Sequence, residues 1–152
     1  MGMPYLVVDI DGTIANCKER ADKYLSQTPK DWTSFFDACD EDKPIQQIIT
    51  LVEELSMHYD VVFCSGRCER VREKTLKWMA DNMITINGEF DLILRNDDDF
   101  RPDTEVKPEI LDAFLKKHPN REVAYIIEDR NCMVAKWREL GYTVLQVADG
   151  DF

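Results

Sequence analysis

Pro4-Tyr5-Leu6-Val7-Val8-Asp9-Ile10-Asp11-Gly12-Thr13 is an apolar, β-branched run that stops at two carboxylates. Val7, Val8 and Ile10 favour a strand over residues 4–10. Gly12 lets the backbone turn sharply where that strand ends. Asp9 and Asp11 are two apart, so on a strand they share one face. Two acids on one face of a buried strand repel each other and are costly to desolvate unless a cation or a proton compensates. The stretch therefore reads as a metal or phosphoryl-transfer site. The plainer alternative is a pair of solvated aspartates beside a turn.

Outward from this stretch, helical and strand patterns alternate. Residues 14–43 mix charge with Tyr24, Leu25, Trp32, Phe35 and Phe36 and show no long period. They read as a short, lid-like insertion with one or two helical turns, whose aromatics form a local core or stack on a flat substrate group. Pro44 suits the first position of a helix. Ile45, Ile48, Ile49, Val52 and Leu55 recur at helical spacing, to about His58. Asp60-Val61-Val62-Phe63-Cys64 is a buried-type strand ending at Ser65-Gly66-Arg67. A helix follows from near Glu69, with Val71, Thr75, Leu76, Met79 and Met83 inward and Trp78 at the margin. Asn87-Gly88 marks a turn.

Phe90–Leu94 reads as a third strand, and residues 95–103, with Asp97-Asp98-Asp99, as a solvated loop. Lys107-Pro108 opens a helix with Ile110, Leu111, Phe114 and Leu115 inward. Val123–Ile127 is a strand ending at Glu128-Asp129. Arg130 or Asn131 starts a helix with Met133, Val134, Trp137 and Leu140 inward, and Gly141 fits just past its end. Tyr142–Val147 is the last strand. Strands alternating with helices predict an α/β fold: a Rossmann-like parallel sheet with helices on both faces. Ligands in such sheets sit outside the carboxyl ends of the strands. Asp9 with Asp11, Ser65 with Arg67, and Glu128 with Asp129 all fall there, and Lys107 follows the third strand.

Composition narrows the function classes. The 152 residues, 44% of them apolar, suit a single domain spanning 1–152 with a real core. No apolar run approaches the roughly 20 residues of a membrane span, and no signal-peptide pattern opens the chain. A soluble, cytoplasmic protein is expected. The five cysteines are odd in number and form no CxxC pair, which points away from a disulfide framework or zinc ribbon. The two histidines, His58 and His118, read as surface residues near helix ends and give a Ser-His-Asp triad little to build on. A formal net charge of −11 argues against broad binding to a nucleic-acid backbone. Neither a P-loop nor a GxGxxG motif occurs.

These groups supply what phosphoryl transfer needs: a carboxylate to attack phosphorus, a second to move a proton, a hydroxyl and a cation to hold phosphoryl oxygens, and further carboxylates for a hard cation. At this point the sequence resembles the haloacid dehalogenase superfamily. Asp9-Ile10-Asp11-Gly12-Thr13 matches its DxDGT motif, Ser65 its second motif, Lys107 its third, and Glu128-Asp129 its acidic fourth. It is most similar to the 3′-phosphatase domain of phage-type polynucleotide kinase–phosphatases. The stretches Val62–Arg67, Lys77-Trp78, Val106-Lys107, Glu128-Asp129-Arg130 with Trp137-Arg138, and Gln146–Phe152 carry that likeness.

The resemblance implies a phosphomonoesterase that uses Mg²⁺ and an aspartyl-phosphate. Asp9 is then nucleophile and metal ligand. Asp11 is general acid and base, with its backbone carbonyl on the metal, and Thr13 supports it or its loop. Ser65 and Lys107 hold the phosphoryl group, while Glu128 and Asp129 complete the metal shell. Arg67 reaches substrate or makes a surface ion pair, and Arg95, Arg101 and Arg130 are further substrate candidates. Glu128 stands where the family more usually has aspartate. No kinase motif is present, which leaves an excised domain and a free-standing phosphatase both open. The implied substrate is a 3′-phosphate on a polynucleotide end or nucleotide. A 5′-nucleotide or other small ester, and a non-catalytic binding module, are the alternatives. Oligomeric state is left open.

Overall fold

A computed structural model describes residues 2–82, 86 and 88–151. Five strands form one parallel sheet: β1 (Tyr5–Val8), β4 (Asp60–Cys68), β5 (Asp91–Arg95), β6 (Val123–Glu128) and β7 (Val144–Gln146), in the order β5-β4-β1-β6-β7. β1 is central. It pairs with β4 from Tyr5↔Asp60 to Val8↔Phe63, and with β6 from Tyr5↔Val123 to Val8↔Ile127. All four residues of β1 are buried, as a strand covered on both faces requires.

Alternation along β1 divides the core. Leu6 and Val8 pack with Ile49 and Val52 of α3 (Gln46–Leu55) and with Trp78 and Met79 of α4 (Arg72–Asn82). Tyr5 and Val7 pack with Leu111 and Phe114 of α5 (Asp103–Lys116) and with Met133, Val134 and Trp137 of α6 (Asn131–Glu139). The expected α/β sheet with helices on both faces is the observed one. Between β1 and α3 the chain forms β2 (Ala15–Asn16), α1 (Lys18–Tyr24), α2 (Trp32–Asp37), a 3₁₀ turn Cys39–Glu41 and β3 (Lys43–Pro44). β2 and β3 pair antiparallel as a separate ribbon.

Several local expectations need correction. Pro44 lies in β3 and the helix after it starts at Gln46, and Leu140 is exposed just past the end of α6. β1 ends at Val8, so Asp9 and Asp11 sit on the connection after the strand, and period-2 facing does not govern them. β4 runs on through Ser65-Gly66-Arg67 to Cys68, with a register shift between Cys64↔Ile93 and Cys68↔Arg95. The predicted strand-ending segment is thus a bulge. α5 starts at Asp103 and carries Pro108 inside it. Asp103 and Glu105 in its first turn complement the helix dipole, and Pro108 removes one intrahelical bond without ending the helix. In α4, Trp78 is buried and Leu76 is exposed, because Trp78 Nε1 donates to the Asp42 carbonyl at 2.7 Å and draws the ring inward. Met83 and Asn87 lie outside the described residues.

All five cysteines are free, four of them buried and Cys132 exposed. His58 is exposed, and His118 is half-buried beside the Phe114 ring at 4.5 Å. No described helix is long and apolar enough to cross a membrane.

Candidate active site

The carboxyl ends of β1, β4 and β6 bring the candidate groups together. Asp9, Glu128 and Asp129 are all buried and each offers an oxygen within 4.8 Å of the others. Lys107, 2% exposed, points from α5 into this group: its Nζ lies 2.9 Å from Asp9 Oδ1 and 2.7 Å from Glu128 Oε2. Thr13 Oγ1 donates to Asp9 Oδ2 at 3.0 Å and lies 3.3 Å from Asp129 Oδ1. The Asp129 backbone N–H donates to Glu128 Oε1 at 3.2 Å. Lys107 on one oxygen and Thr13 on the other fix the rotation of the Asp9 carboxylate, so its orientation is set in advance.

Three carboxylates and one ammonium leave an excess of negative charge out of water. Burial, then the Glu128 charge, push the Asp9 carboxyl up to about 7, against the pull of Lys107. Burial and the Asp9 charge push Asp129 up to about 7 as well. Burial alone lowers the Lys107 ammonium, but Asp9 and Glu128 outweigh it and hold it well above its ordinary value. An all-oxygen donor set under this repulsion suits a hard divalent cation such as Mg²⁺.

Gly12 closes this corner. Its φ is +85°, and a Cβ built on it falls 2.1 Å from Asp129 Oδ2. Gly12→Ala therefore both strains the backbone and displaces a carboxylate. At roughly 1–3 kcal/mol for such strain, and about 2–4 °C per kcal/mol in a domain of this size, we expect melting to fall by about 2–12 °C. Wild-type melting in the alanine variant, by scanning calorimetry, would contradict this reading.

Asp11 faces other partners. Its Oδ1 lies 2.7 Å from Arg67 Nη2 and 2.6 Å from Arg20 Nη2, and Arg67 Nε donates to Oδ2 at 3.2 Å. Burial alone raises the Asp11 carboxyl, but Arg67 and Arg20 outweigh it and hold it far below the usual carboxylate range. Arg67 is fully buried, with Nη1 donating to Thr75 Oγ1 at 3.0 Å. It is neither a surface ion pair nor aimed at solvent: it braces Asp11. Arg20 donates through Nε to Asp42 Oδ1 at 2.7 Å and through Nη1 to the Phe35 carbonyl at 2.7 Å. One guanidinium thereby ties α1 and the segment before β3 to Asp11.

The other expected residues fall nearby. Ser65 is buried, and its Oγ accepts from the Arg67 backbone N–H at 3.1 Å, which leaves its own proton to donate. Arg95 braces the bulge and the following loop: Nε donates to the Gly66 carbonyl at 2.7 Å, Nη1 to the Asp99 and Arg101 carbonyls, and Nη2 meets Asp103. Arg130 Nη1 lies 3.2 Å from Asp103 Oδ2. Arg101 pairs with Asp99 and Glu109 on the surface. The sequence reading missed Arg20, Asp42, Thr75 and Asp103. Asp103 carried a usable signal, an acid opening a helix. Arg20 carried none, being one cation in a segment without period.

The central parallel sheet, with acids and a buried lysine at its carboxyl edge, defines a haloacid-dehalogenase fold. Residues 4–152 match the family model of the polynucleotide kinase PNKP phosphatase domain, and the chain belongs to that family. A chain in one structure of the Pnkp1/Rnl/Hen1 RNA repair complex is 27% identical, with a TM-score of 0.75 over 99% of this chain and 44% of that one. A second structure of the complex gives 29% identity and a TM-score of 0.75, over 99% and 48%. The chain thus spans less than half the length of these relatives. A HAD-family enzyme from Bacteroides thetaiotaomicron, in complex with magnesium and inorganic phosphate, shares the fold at 15% identity and a TM-score of 0.58, over 99% and 97%.

Proposed function

We propose that the chain is a Mg²⁺-dependent phosphatase that removes a 3′-phosphate from a polynucleotide end through an aspartyl-phosphate on Asp9. The observation that carries the chemistry is the divergence of the two aspartates. Asp9 turns into the lysine and acid cluster, and Asp11 turns to two arginines at its edge. Family membership and the likeness to chains of an RNA repair complex support the nucleic-acid end as substrate.

An Asp9 oxygen attacks phosphorus and the bond from phosphorus to the ester oxygen breaks. The departing O3′ takes a proton from Asp11. Water then attacks the acyl phosphate and gives its proton to Asp11, releasing inorganic phosphate and restoring Asp9. Lys107 and the Ser65 hydroxyl hold non-bridging oxygens as charge builds. Asp9, Glu128, Asp129 and the Asp11 carbonyl would hold Mg²⁺, which supplies charge neutralisation for phosphoryl oxygens when bound. Arg67 and Arg20 keep Asp11 as a carboxylate in the free protein, ready to accept the water's proton. A phosphate dianion beside it opposes them and favours the protonated form that the first step needs.

The test is a panel of 3′-phosphorylated oligonucleotide, nucleoside 3′-monophosphate, nucleoside 5′-monophosphate and a sugar phosphate, with Mg²⁺ and with EDTA. The highest kcat/KM belongs to a 3′-phosphate, and EDTA abolishes release. A preference for the 5′-monophosphate or sugar phosphate would replace this reading with a small-ester phosphatase, and no Mg²⁺-dependent release with a binding module. Mg²⁺ stabilisation also depends on pH. Asp9 and Asp129 are raised in the folded state, so the metal-free protein loses stability as pH rises from the unfolded carboxylate range to about 7. A cation must displace their protons below that point. The gain in melting temperature on adding Mg²⁺ therefore grows as pH rises through 7. A gain that shrinks over this window, by scanning fluorimetry, would refute the assignment.

A further inference from the structure

We propose that the cavity between α1 and the β2–β3 ribbon is a subsite for an internucleotide phosphate, the one on the 5′ side of the terminal nucleotide. This rests on the 3′-end reading above. The cavity holds about 280 Å³, and its lining includes the cations Lys18, Arg20, Lys23 and Lys43 and the acids Glu19, Glu41 and Asp42. Asp42 is matched by Arg20, which binds it through Nε at 2.7 Å and Nη2 at 2.6 Å. Three lysines then stand against Glu19 and Glu41. The wall is net cationic on a chain whose formal net charge is −11. Lys23 Nζ rests 4.9 Å from the Tyr24 ring centroid. The ammonium groups of Lys18 and Lys43 form no ion pair among the described residues. Both side chains are exposed, so an anion reaches them without a large desolvation cost.

Position relative to the reaction selects the ligand. Arg20 is the wall shared by the cavity and the site, since its Nη2 also lies 2.6 Å from Asp11 Oδ1. Asp11 protonates the departing oxygen, so the leaving nucleoside lies on the Asp11 side of Asp9. Lys107, Glu128 and Asp129 around Asp9 are buried, whereas the Asp11 side chain keeps 19% of its surface open. A strand whose 3′ end is at Asp9 therefore leaves past Asp11 and meets the Arg20 wall and its lysines next. Cations that track a backbone phosphate in this way position a strand without reading its sequence. A one- or two-phosphate grip is also what so acidic a protein tolerates.

The test compares wild type with the Lys18→Glu/Lys43→Glu double variant, and with Lys18→Arg/Lys43→Arg. The substrates are a nucleoside 3′-monophosphate, which lacks an internucleotide phosphate, and a 3′-phosphorylated trinucleotide. Binding of a 5′-labelled 3′-phosphorylated trinucleotide is followed separately by anisotropy in EDTA. In the glutamate pair, KM and Kd for the trinucleotide each rise about tenfold. The slope of log Kd against log salt flattens by about 0.7 for the one lost single-strand phosphate contact. Both kcat and KM for the 3′-monophosphate stay at wild-type values, and the arginine pair keeps wild-type behaviour throughout. An unchanged trinucleotide Kd, or an equal rise in KM for both substrates, overturns the subsite. So does relief of inhibition by inorganic phosphate in 3′-monophosphate hydrolysis, which would mark the cavity as a site for free phosphate. If wild type hydrolyses neither substrate, the reaction proposed above fails, and the anisotropy comparison still decides the subsite.

Discussion

Asp9→Asn lowers kcat on the order of 10⁴–10⁶-fold, as loss of a nucleophile does in other hydrolases, and leaves the fold in place. The amide keeps the shape of the carboxylate: its oxygen accepts from Lys107, and its NH2 donates to Thr13 Oγ1, whose own proton turns to Asp129. What disappears is the anionic oxygen that attacks phosphorus. Because burial and the Glu128 charge both disfavour the Asp9 carboxylate, and Asp9 in turn crowds Asp129, the substitution also removes repulsion. Metal-free melting therefore holds or rises while turnover vanishes, a combination that simple misfolding does not give. Release from a chromogenic aryl phosphate, measured alongside melting in EDTA, checks both halves. A variant within tenfold of wild-type kcat would mean that another group attacks phosphorus.

Lys107→Ala has the largest expected effect on stability. Its Nζ lies 2.9 Å from Asp9 and 2.7 Å from Glu128, and all three side chains are buried. Removing one partner of a buried ion pair typically costs about 3–5 kcal/mol, because the other charge is left uncompensated. For this domain size that is about 6–20 °C of melting temperature in EDTA. Mg²⁺ recovers much of the loss, since a cation among the same carboxylates supplies the missing charge. Lys107→Met keeps most of the volume, so the difference between the alanine and methionine variants measures packing alone. Urea denaturation with and without Mg²⁺ resolves these contributions. Wild-type stability of the alanine variant in EDTA would show that the lysine offsets none of the repulsion.

The fold was legible because its strands are short apolar runs bounded by turn chemistry. Leu6 and Val8 alternate with Tyr5 and Val7, and the two sets fill the two halves of the core. Errors gathered where a local rule met a tertiary one. Lys107-Pro108 read as a helix start, yet the acids at Asp103 and Glu105 and the packing of Val106 begin α5 four residues before Lys107. Trp78 read as marginal until the Asp42 carbonyl gave its indole a partner.

In the site, Asp9, Thr13, Glu128 and Asp129 could be placed at one sheet edge because each follows a recognisable strand end, whereas Lys107, read as opening a helix, lies a turn inside α5. The bracing of Asp11 could not. Arg20 reaches it from an aperiodic segment, and Arg67 reaches it from a bulge whose register shift has no sequence signature. Arg67 also shows how a residue type misleads. An arginine after a strand suggests a hand extended to substrate, but burial and its bond to Thr75 turn it inward.

The central place of β1 has a further consequence. The first strand in sequence needs partners from Asp60–Cys68 on one side and Val123–Glu128 on the other. Until the later one arrives, Tyr5-Leu6-Val7-Val8 presents an open apolar edge, the kind of segment that templates aggregation in a folding chain. Loop closure over such separations makes that wait long. Asp9 and Asp11 follow the run directly, where charged residues act as gatekeepers against intermolecular pairing. Asp9, which crowds the finished core, and Asp11, which the arginines hold, thus guard the strand while it stands unpaired.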